Sequence, residues 1–84
     1  MSEVSDDVLG LVKAVVVPLV DFPDDVSVAL DLEQDDLIVV NLQVNEEDAG
    51  KVIGRQGRVI KSIRTLARAA ASRSGARVEV ELLD

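Results

Sequence analysis

A pair of glycines in the second half of the chain interrupts a stretch that otherwise has helical periodicity. Gly54 and Gly57 enclose two polar residues, and an apolar pair stands on each side of them. Glycine adopts backbone angles and permits close approaches that other residues do not. A Gly-x-x-Gly turn between two helices therefore lets a ligand approach the main chain. The amides that open the second helix would point into this turn and favour an anion, such as the backbone of a nucleic acid.

The charges of the chain are divided along its length. Residues 1–48 carry thirteen acids and one base, Lys13, whereas residues 49–77 carry eight bases and no acid. The net charge of −7 is a poor guide to the field around the glycines, because exposed charges are screened beyond about 8–10 Å in physiological salt. The basic segment predicts a positive surface next to the turn, and a merely solvated helix face is the alternative.

Several residue types that carry chemistry are missing or rare. Cysteine and histidine are absent, which excludes disulfides, Cys or His zinc sites and His-based catalysis. Phe22 is the single aromatic residue, too few for the base-stacking platforms of the RRM and many OB-folds. The glycines have neither Rossmann nor Walker spacing, and the acidic clusters suit helix caps and turns. We therefore expect no enzyme activity, no metal and no cofactor.

Length and apolar runs limit the domain organisation and the location. A chain of 84 residues suffices for one small domain, so we expect residues 1–84 to form a single domain. Acids near the N-terminus stand where a signal peptide would have bases, and no apolar run reaches membrane-spanning length. We expect a cytoplasmic protein that binds no membrane and no small-molecule substrate.

Hydrophobic periodicity predicts three helices and three strands. We expect Ser5 to cap the first helix, Pro18 to kink or end it, and Asn45 to cap the second. Residues 34–36 form a hairpin connection, and Ser74-Gly75 ends the third helix. The predicted elements are a helix over about 5–20, strands over 26–33 and 37–44, a helix over 46–53, a helix over 57–73 and a strand over 76–83.

The apolar residues of these elements share faces. The last helix has an apolar face of Val59, Ile60, Ile63, Leu66, Ala67 and Ala70. Its opposite side carries Arg58, Lys61, Thr65, Arg68 and Ser72, with Arg64 at the flank. The inward residues of the strands are Val26, Val28, Leu30 and Leu32, then Ile38, Val40, Leu42 and Val44, then Val78, Val80 and Leu82. Leu37 and Val39 are also apolar, so the second strand is the most enclosed. Three half-apolar strands covered on one face by three helices make a two-layer α+β domain.

The element order α-β-β-α-α-β, with Val-Ile-Gly-Arg-Gln-Gly between the paired helices, resembles the KH domain in its type II, prokaryotic arrangement. KH domains clamp about four nucleotides of single-stranded RNA. More narrowly, the chain resembles the small stand-alone bacterial KH proteins of the KhpA family. The residues that carry this resemblance are Pro18-Leu19-Val20-Asp21 followed by Pro23, Gly50 to Arg58, Lys61-Ser62-Ile63-Arg64 and an alanine-rich helix end.

The family resemblance implies a mixed sheet and a set of cellular expectations. It implies a cytoplasmic protein that binds single-stranded RNA broadly and acts as an RNA chaperone or post-transcriptional regulator. It also implies a role in cell shape and cell-wall biogenesis. A second KH-domain protein is the implied partner, in a heterodimer, and a homodimer is the other possibility.

The candidate RNA-binding residues follow from the turn and from the resemblance. Gly54 and Gly57 let the sugar-phosphate approach, while Arg55 and Gln56 reach phosphate oxygens from the tip of the turn. Lys51, Arg58 and Lys61 extend the positive strip. Arg64 and Arg68 either contact RNA or only solubilise their helix. We expect Val52 and Ile53 to be mostly core residues. The resemblance implies that some of these apolar residues form the floor of the groove in which the RNA bases lie.

Two other functions fit parts of the pattern. A helix-turn-helix DNA-binding domain also has a glycine between two helices, but it does not need three alternating strands. A KH-like protein-interaction module, acting as a subunit of a homodimer or heterodimer, would use the acidic outer surface of the sheet and the first helix. Mutation of the turn distinguishes the last alternative, since RNA binding should vanish while partner binding stays.

Overall fold

A three-stranded sheet in the order β1-β2-β3 is the base of the computed structural model, which describes residues 2–34 and 36–83. The strand β1 pairs antiparallel with β2, and β2 pairs parallel with β3. The elements are α1 (Ser2–Val16), β1 (Ser27–Gln34), β2 (Leu37–Gln43), α2 (Ala49–Ile53), α3 (Arg58–Ala71) and β3 (Arg77–Leu83). The predicted element order and the mixed sheet are confirmed. No helix in the described part of the chain is long and apolar enough to cross a membrane.

The helices and one face of the sheet share a single core. Leu30, Val40 and Val80 stand side by side across the three strands. The buried core residues are Val8, Val12 and Val16 of α1, Ile38, Val40 and Leu42 of β2, Val52 of α2, Ile60, Ile63, Ala67 and Ala71 of α3, and Val78 and Val80 of β3. Glu79 and Glu81 alternate with the core residues of β3 and are exposed. This alternation places the three helices on one face of the sheet, as predicted.

The central strand β2 is enclosed on both faces. Val39 points away from the helices, yet only 7% of its surface is exposed. Its neighbours across the sheet are Asp31 and Glu79, and the amide of Asn41 bonds the carboxylate of Asp31 beside it. Apolar residues occur on both faces of β2 in the sequence, which predicted that this strand is the most enclosed. The prediction is confirmed.

The first helix differs from its predicted start. It begins at Ser2, so Ser5 lies inside the helix and the predicted N-cap at Ser5 is wrong. Ser5 stands three and seven residues before Val8 and Val12, which places it on the packed side of α1, where its hydroxyl is buried. The helix ends at Val16, and Pro18 lies in the following turn of 3-10 helix, Val17–Leu19. Proline has no amide hydrogen to donate to the carbonyl four residues earlier, so the α-helical bonding pattern cannot continue through Pro18, which explains this end.

Two leucines predicted to face the core are exposed instead. Leu66 is 44% exposed because the buried side of α3 is centred on Ile60, Ile63 and Ala67, and Leu66 lies at the edge of that side. Leu32 is 59% exposed at the end of β1, where the pairing with β2 shifts register. Asp35, in the predicted hairpin connection, lies outside the described residues. Gly75, with φ of 76°, follows α3 and a short 3-10 turn, as predicted for the helix end.

Candidate nucleic-acid interface

The loop between α2 and α3 is built from left-handed backbone angles. Gly54, Gln56 and Gly57 have φ angles of 75°, 57° and 74°. Gln56 is the one residue other than glycine with positive φ in the described chain. The left-handed region costs roughly 1–2 kcal/mol for a residue with a Cβ atom. The sharp reversal of the chain places residues 55 and 56 at an exposed tip.

The two glycines of the loop meet different surroundings. A Cβ atom on Gly54 would lie 2.8 Å from Cβ and 2.9 Å from the amide nitrogen of Val59, inside van der Waals contact. A Cβ atom on Gly57 would meet nothing nearer than Cγ2 of Ile60, at 3.9 Å. Gly54 is therefore needed for packing against the first turn of α3. Of the two, only Gly57 leaves open space through which a ligand could approach the main chain.

The amides at the start of α3 are used within the loop. The amide of Gly57 donates to the carbonyl of Gly54 at 3.1 Å, and the amide of Arg58 donates to the carbonyl of Arg55. The prediction that the amides opening this helix point towards an anion is wrong for these two residues, because the loop closes into a 3-10 turn. These two amides are therefore not available to a negative ligand at the tip.

Four polar side chains surround this tip. Arg55, Gln56, Arg58 and Lys61 are all exposed. The guanidinium of Arg58 donates to Oε1 of Gln56 at 3.2 Å. This bond uses the oxygen of the Gln56 amide and leaves its NH₂ group as a donor. The loop and the first turn of α3 therefore present one amide donor and three cations towards solvent.

Lys51, one turn before the loop, is held by two carboxylates. Its ammonium contacts Oδ2 of Asp21 and lies 3.3 Å from Oδ1 of Asp48. The hydrogen bond to Asp21 raises the pKa of Lys51 most, desolvation by burial opposes this rise, and the contact with Asp48 raises the pKa further. The charge of Lys51 is thus compensated within the protein, so it adds less to the positive strip than Arg55, Arg58 or Lys61.

Asp48 is a buried carboxylate that joins α2 to the chain before β1. Its side chain is fully buried and accepts the amides of Asp21 and Phe22, each at 3.0 Å, besides contacting Lys51. Burial alone would raise the pKa of Asp48, but the two amides and the ammonium together lower it. From the sequence, Asp48 is only one acid in a helix start. Its spacing of three residues from Lys51 is the one signal that marks it.

The structure separates the remaining candidate residues. Val52 is fully buried in the core, whereas Ile53 is 41% exposed beside the loop. Arg64 is half-buried, and its Nε donates to the carbonyl of Val80 at 3.4 Å, so it turns towards β3. Arg68 is exposed one turn further along α3. The loop and the first turn of α3 thus bring Arg55, Gln56, Arg58 and Lys61 together, while Arg64 and Arg68 line a separate groove.

These features define a class of domain. A Gly-x-x-Gly loop joins two helices that connect the parallel strands β2 and β3, in the element order of a type II KH domain. The model of the KhpA/KhpB KH-domain family matches residues 10–82. The chain belongs to this family.

Relatives support this assignment, and one solved structure shares the fold. RNA-binding protein KhpA of Bacillus subtilis (strain 168) is 46% identical over 74 residues, which cover 88% of this chain and 90% of that protein. RNA-binding protein KhpA of Borreliella burgdorferi is 38% identical over 76 residues, covering 90% and 92%. A crystal structure of an Aquifex aeolicus Era variant bound to GDP·AlF4− matches with a TM-score of 0.61 and 22% identity. It covers 89% of this chain and 29% of that one, and shows that the fold is shared.

Proposed function

We propose that this protein binds single-stranded RNA and clamps the RNA backbone with the Gly54-Arg55-Gln56-Gly57 loop. The observation that carries the proposal is the exposed tip, where Gly57 has open space, Arg55, Gln56 and Arg58 are exposed, and Lys61 is exposed one turn further along α3. Charge-assisted hydrogen bonds from Arg55, Arg58 and Lys61 to phosphate oxygens would hold the strand. Relatives that carry the name RNA-binding protein KhpA support the proposal.

The remaining candidate residues act around this clamp. Ile53 offers exposed apolar surface for a base next to the loop. Val52, in the core, and Lys51, paired with Asp21 and Asp48, hold α2 in place behind the loop. Arg64 contributes a further positive charge for RNA binding from the groove beside β3. In this proposal residues 1–84 form one KH domain, which uses no cofactor and catalyses no reaction.

The cellular role we propose follows from the proposed contacts to the phosphate backbone of the RNA. A clamp of phosphate contacts carries little sequence information, since sequence is read from base edges. Broad and weak binding suits a cytoplasmic RNA chaperone or post-transcriptional regulator. The resemblance to the KhpA family extends this proposal to cell shape and cell-wall biogenesis.

A second candidate function is a protein-interaction module that works as a subunit of a homodimer or of a heterodimer with another KH protein. The observation that favours it is exposed apolar surface on the connector between α1 and β1, where Val17, Leu19 and Phe22 are each about two-fifths exposed. Sedimentation of the chain alone tests the homodimer. Both functions can coexist, because this connector and the Gly54–Gly57 loop are different surfaces.

The double variant Arg55→Asp, Gln56→Asp tests the RNA clamp. It places two negative charges where phosphates should lie and keeps both glycines, and aspartate tolerates the left-handed angles of position 56. We expect at least tenfold weaker binding of a labelled single-stranded RNA, measured by fluorescence anisotropy. Circular dichroism checks that the variant is folded.

A charge-matched control separates the effect of the mutated position from the effect of the changed net charge. Lys13→Asp, Ser27→Asp changes the net charge by the same amount at exposed sites on α1 and β1. The control should bind RNA nearly as wild type does. Equal binding by wild type and the loop variant, with both folded, would contradict the clamp and favour the protein-interaction function.

A further inference from the structure

The carboxylate of Asp21 contacts an ammonium that a buried acid already holds. Asp48 is fully buried, and the ammonium of Lys51 lies 3.3 Å from its Oδ1. A buried carboxylate is costly without a counter-charge, so Lys51 has a structural partner in Asp48. The side chain of Asp21, in contrast, is 74% exposed and contacts the same ammonium at the surface. Lys51 thus pairs with two acids, although one of them suffices to balance its charge.

The carboxylate of Asp21 is not needed to hold the connector between α1 and β1. The main-chain amides of Asp21 and Phe22 already donate to the carboxylate of Asp48, each at 3.0 Å. An exposed ion pair contributes little to stability, because water screens both charges and the two side chains lose freedom. The pair of Asp21 with Lys51 therefore has a small share in the stability of the fold, and its removal should leave the structure intact.

Lys51 stands next to the proposed RNA clamp. It lies three residues before Gly54, so the two positions share one side of the short helix α2, which ends at the loop. The side chain of Lys51 is partly exposed. An ammonium has three donors on a flexible four-carbon stem, so its reach extends beyond the atoms that it contacts. Without the carboxylate of Asp21, Lys51 would add one more cation to the three at the loop and the first turn of α3.

We propose that Asp21 lowers the affinity of the protein for RNA, because its carboxylate withholds the Lys51 ammonium from the phosphates of the strand. This competition by Asp21 rests on the proposed function. The carboxylate is tethered beside the ammonium, so it competes with a phosphate at a high effective concentration. Asp48 keeps the ammonium beside α2 when Asp21 is not paired with it. Asp21 is thus a residue that sets the RNA affinity without touching the RNA.

Removal of the Asp21 charge tests this competition. The variant is Asp21→Asn, and the matched control is Asp24→Asn, which removes one negative charge from an exposed position of the same connector. Among the described residues, Asp24 forms no ion pair with a base. Fluorescence anisotropy with a short labelled single-stranded RNA measures the affinity over a series of salt concentrations. Circular dichroism checks that each variant is folded.

We expect Asp21→Asn to bind RNA about three- to fivefold more tightly than wild type, and Asp24→Asn to stay within about twofold of wild type. The released ammonium adds one phosphate contact, so the salt slope of Asp21→Asn should be steeper by about 0.7 than that of wild type. Equal affinities of wild type and Asp21→Asn, an equal gain in Asp24→Asn, or an unchanged salt slope would each overturn the proposal.

A double-mutant cycle tests whether Lys51 is the group that is released. Lys51→Gln should change the affinity of wild type by about twofold at most, and it should remove the gain of Asp21→Asn beyond that of Asp24→Asn. A gain that persists in the double variant would overturn the role of Lys51. If Lys51→Gln does not fold, because Asp48 loses its buried counter-charge, the affinity and the salt slope of Asp21→Asn still decide the proposal.

The loop variant keeps the clamp and the competition by Asp21 distinguishable. If wild type binds RNA and Arg55→Asp, Gln56→Asp does not, the clamp stands, and Asp21→Asn alone decides the competition. If neither wild type nor Asp21→Asn binds RNA, the proposed function fails and the competition fails with it. If the loop variant binds as wild type does while Asp21→Asn binds more tightly, the clamp is overturned and the competition stands.

Discussion

Gly54 and Gly57 are both required, but for different physical reasons. At Gly54 a side chain would collide with Val59, and its angles of 75° and 172° lie in a region that is essentially restricted to glycine. At Gly57 only the left-handed angles oppose a side chain. The two glycines of this loop therefore combine one packing requirement with one backbone requirement.

Substitution of each glycine by alanine should separate the packing requirement from the backbone requirement. We expect Gly54→Ala to lower the free energy of unfolding by about 2–5 kcal/mol, since strain and collision add. Gly57→Ala should lower it by about 1–2 kcal/mol, because only the left-handed angles are strained. Urea unfolding followed by circular dichroism measures both. Equal losses would show that the contact with Val59 does not constrain position 54.

Asp48 should make the stability of the fold depend on pH at the acid end. Its pKa is lowered in the folded state from an ordinary value of 3.8, so its charged form stabilises the fold at neutral pH. This contribution is present above the unfolded pKa and is lost as the pH falls through the lower, folded pKa. Asp48→Asn should therefore unfold more easily than wild type at neutral pH, because the amide group cannot accept all three donors.

The stability difference between wild type and Asp48→Asn should shrink once the pH falls below about 4. Denaturant unfolding over a series of pH values measures it. Asp31→Asn, an exposed carboxylate that accepts one amide from Asn41, is the control and should show little pH-dependent difference. A difference that stays constant down to the acid limit would contradict the role assigned to the Asp48 charge.

At the scale of elements, α3 shows how far hydrophobic periodicity determines a helix. Ile63 is 2% exposed and Leu66 is 44% exposed, although both are large apolar residues on the predicted face. Ile63→Ala should lower the free energy of unfolding by about 2–5 kcal/mol, because it leaves a cavity in the core. Leu66→Ala should lower it by less than about 1 kcal/mol. Comparable losses would show that Leu66 packs more closely than its exposure indicates.

The sequence predicted the elements and their order because apolar alternation and helical spacing are local signals. It also predicted a cap at Asn45, whose side chain accepts the amide of Glu47 at 2.9 Å, but Asn45 caps the 3-10 turn Glu46–Asp48 and α2 itself begins only at Ala49. It did not predict where α1 begins, since Ser5 is followed by acids that suit a first turn equally well. In the structure the hydroxyl of Ser5 is buried on the packed side of α1 instead of capping its start.

The candidate site was predictable in composition but not in its internal contacts. The positions of Arg55 and Gln56 followed from the turn. The pairing of Lys51 with Asp21 joins residues thirty positions apart, and no local pattern reports such a contact. The same holds for the contact of Arg64 with Val80, which depends on the packing of α3 beside β3. Long-range contacts thus decide which of the basic side chains near the loop are available to a ligand.

At the scale of the whole molecule, the charge division along the chain becomes a division between surfaces. Acids of the first half hold the connector and α2 through Asp21 and Asp48, and those of β3 mark one rim of the groove. The basic residues of the loop and α3 form an adjoining positive surface, and Arg64 and Arg68 line the same groove as the glutamates of β3. In the proposed function, a molecule with a net charge of −7 attracts RNA at the basic surface of the loop and α3, because the local charges decide the field that a ligand meets there.

The salt dependence of RNA binding tests the phosphate clamp most directly. For wild type, the logarithm of the affinity should fall with the logarithm of the salt concentration with a slope of about −2, since three cations each contribute roughly −0.7 on a single strand. The folded Arg55→Asp, Gln56→Asp variant should bind at least tenfold more weakly at low salt and show a shallower slope. A wild-type affinity that does not change with salt, or an unchanged slope in the variant, would contradict the clamp.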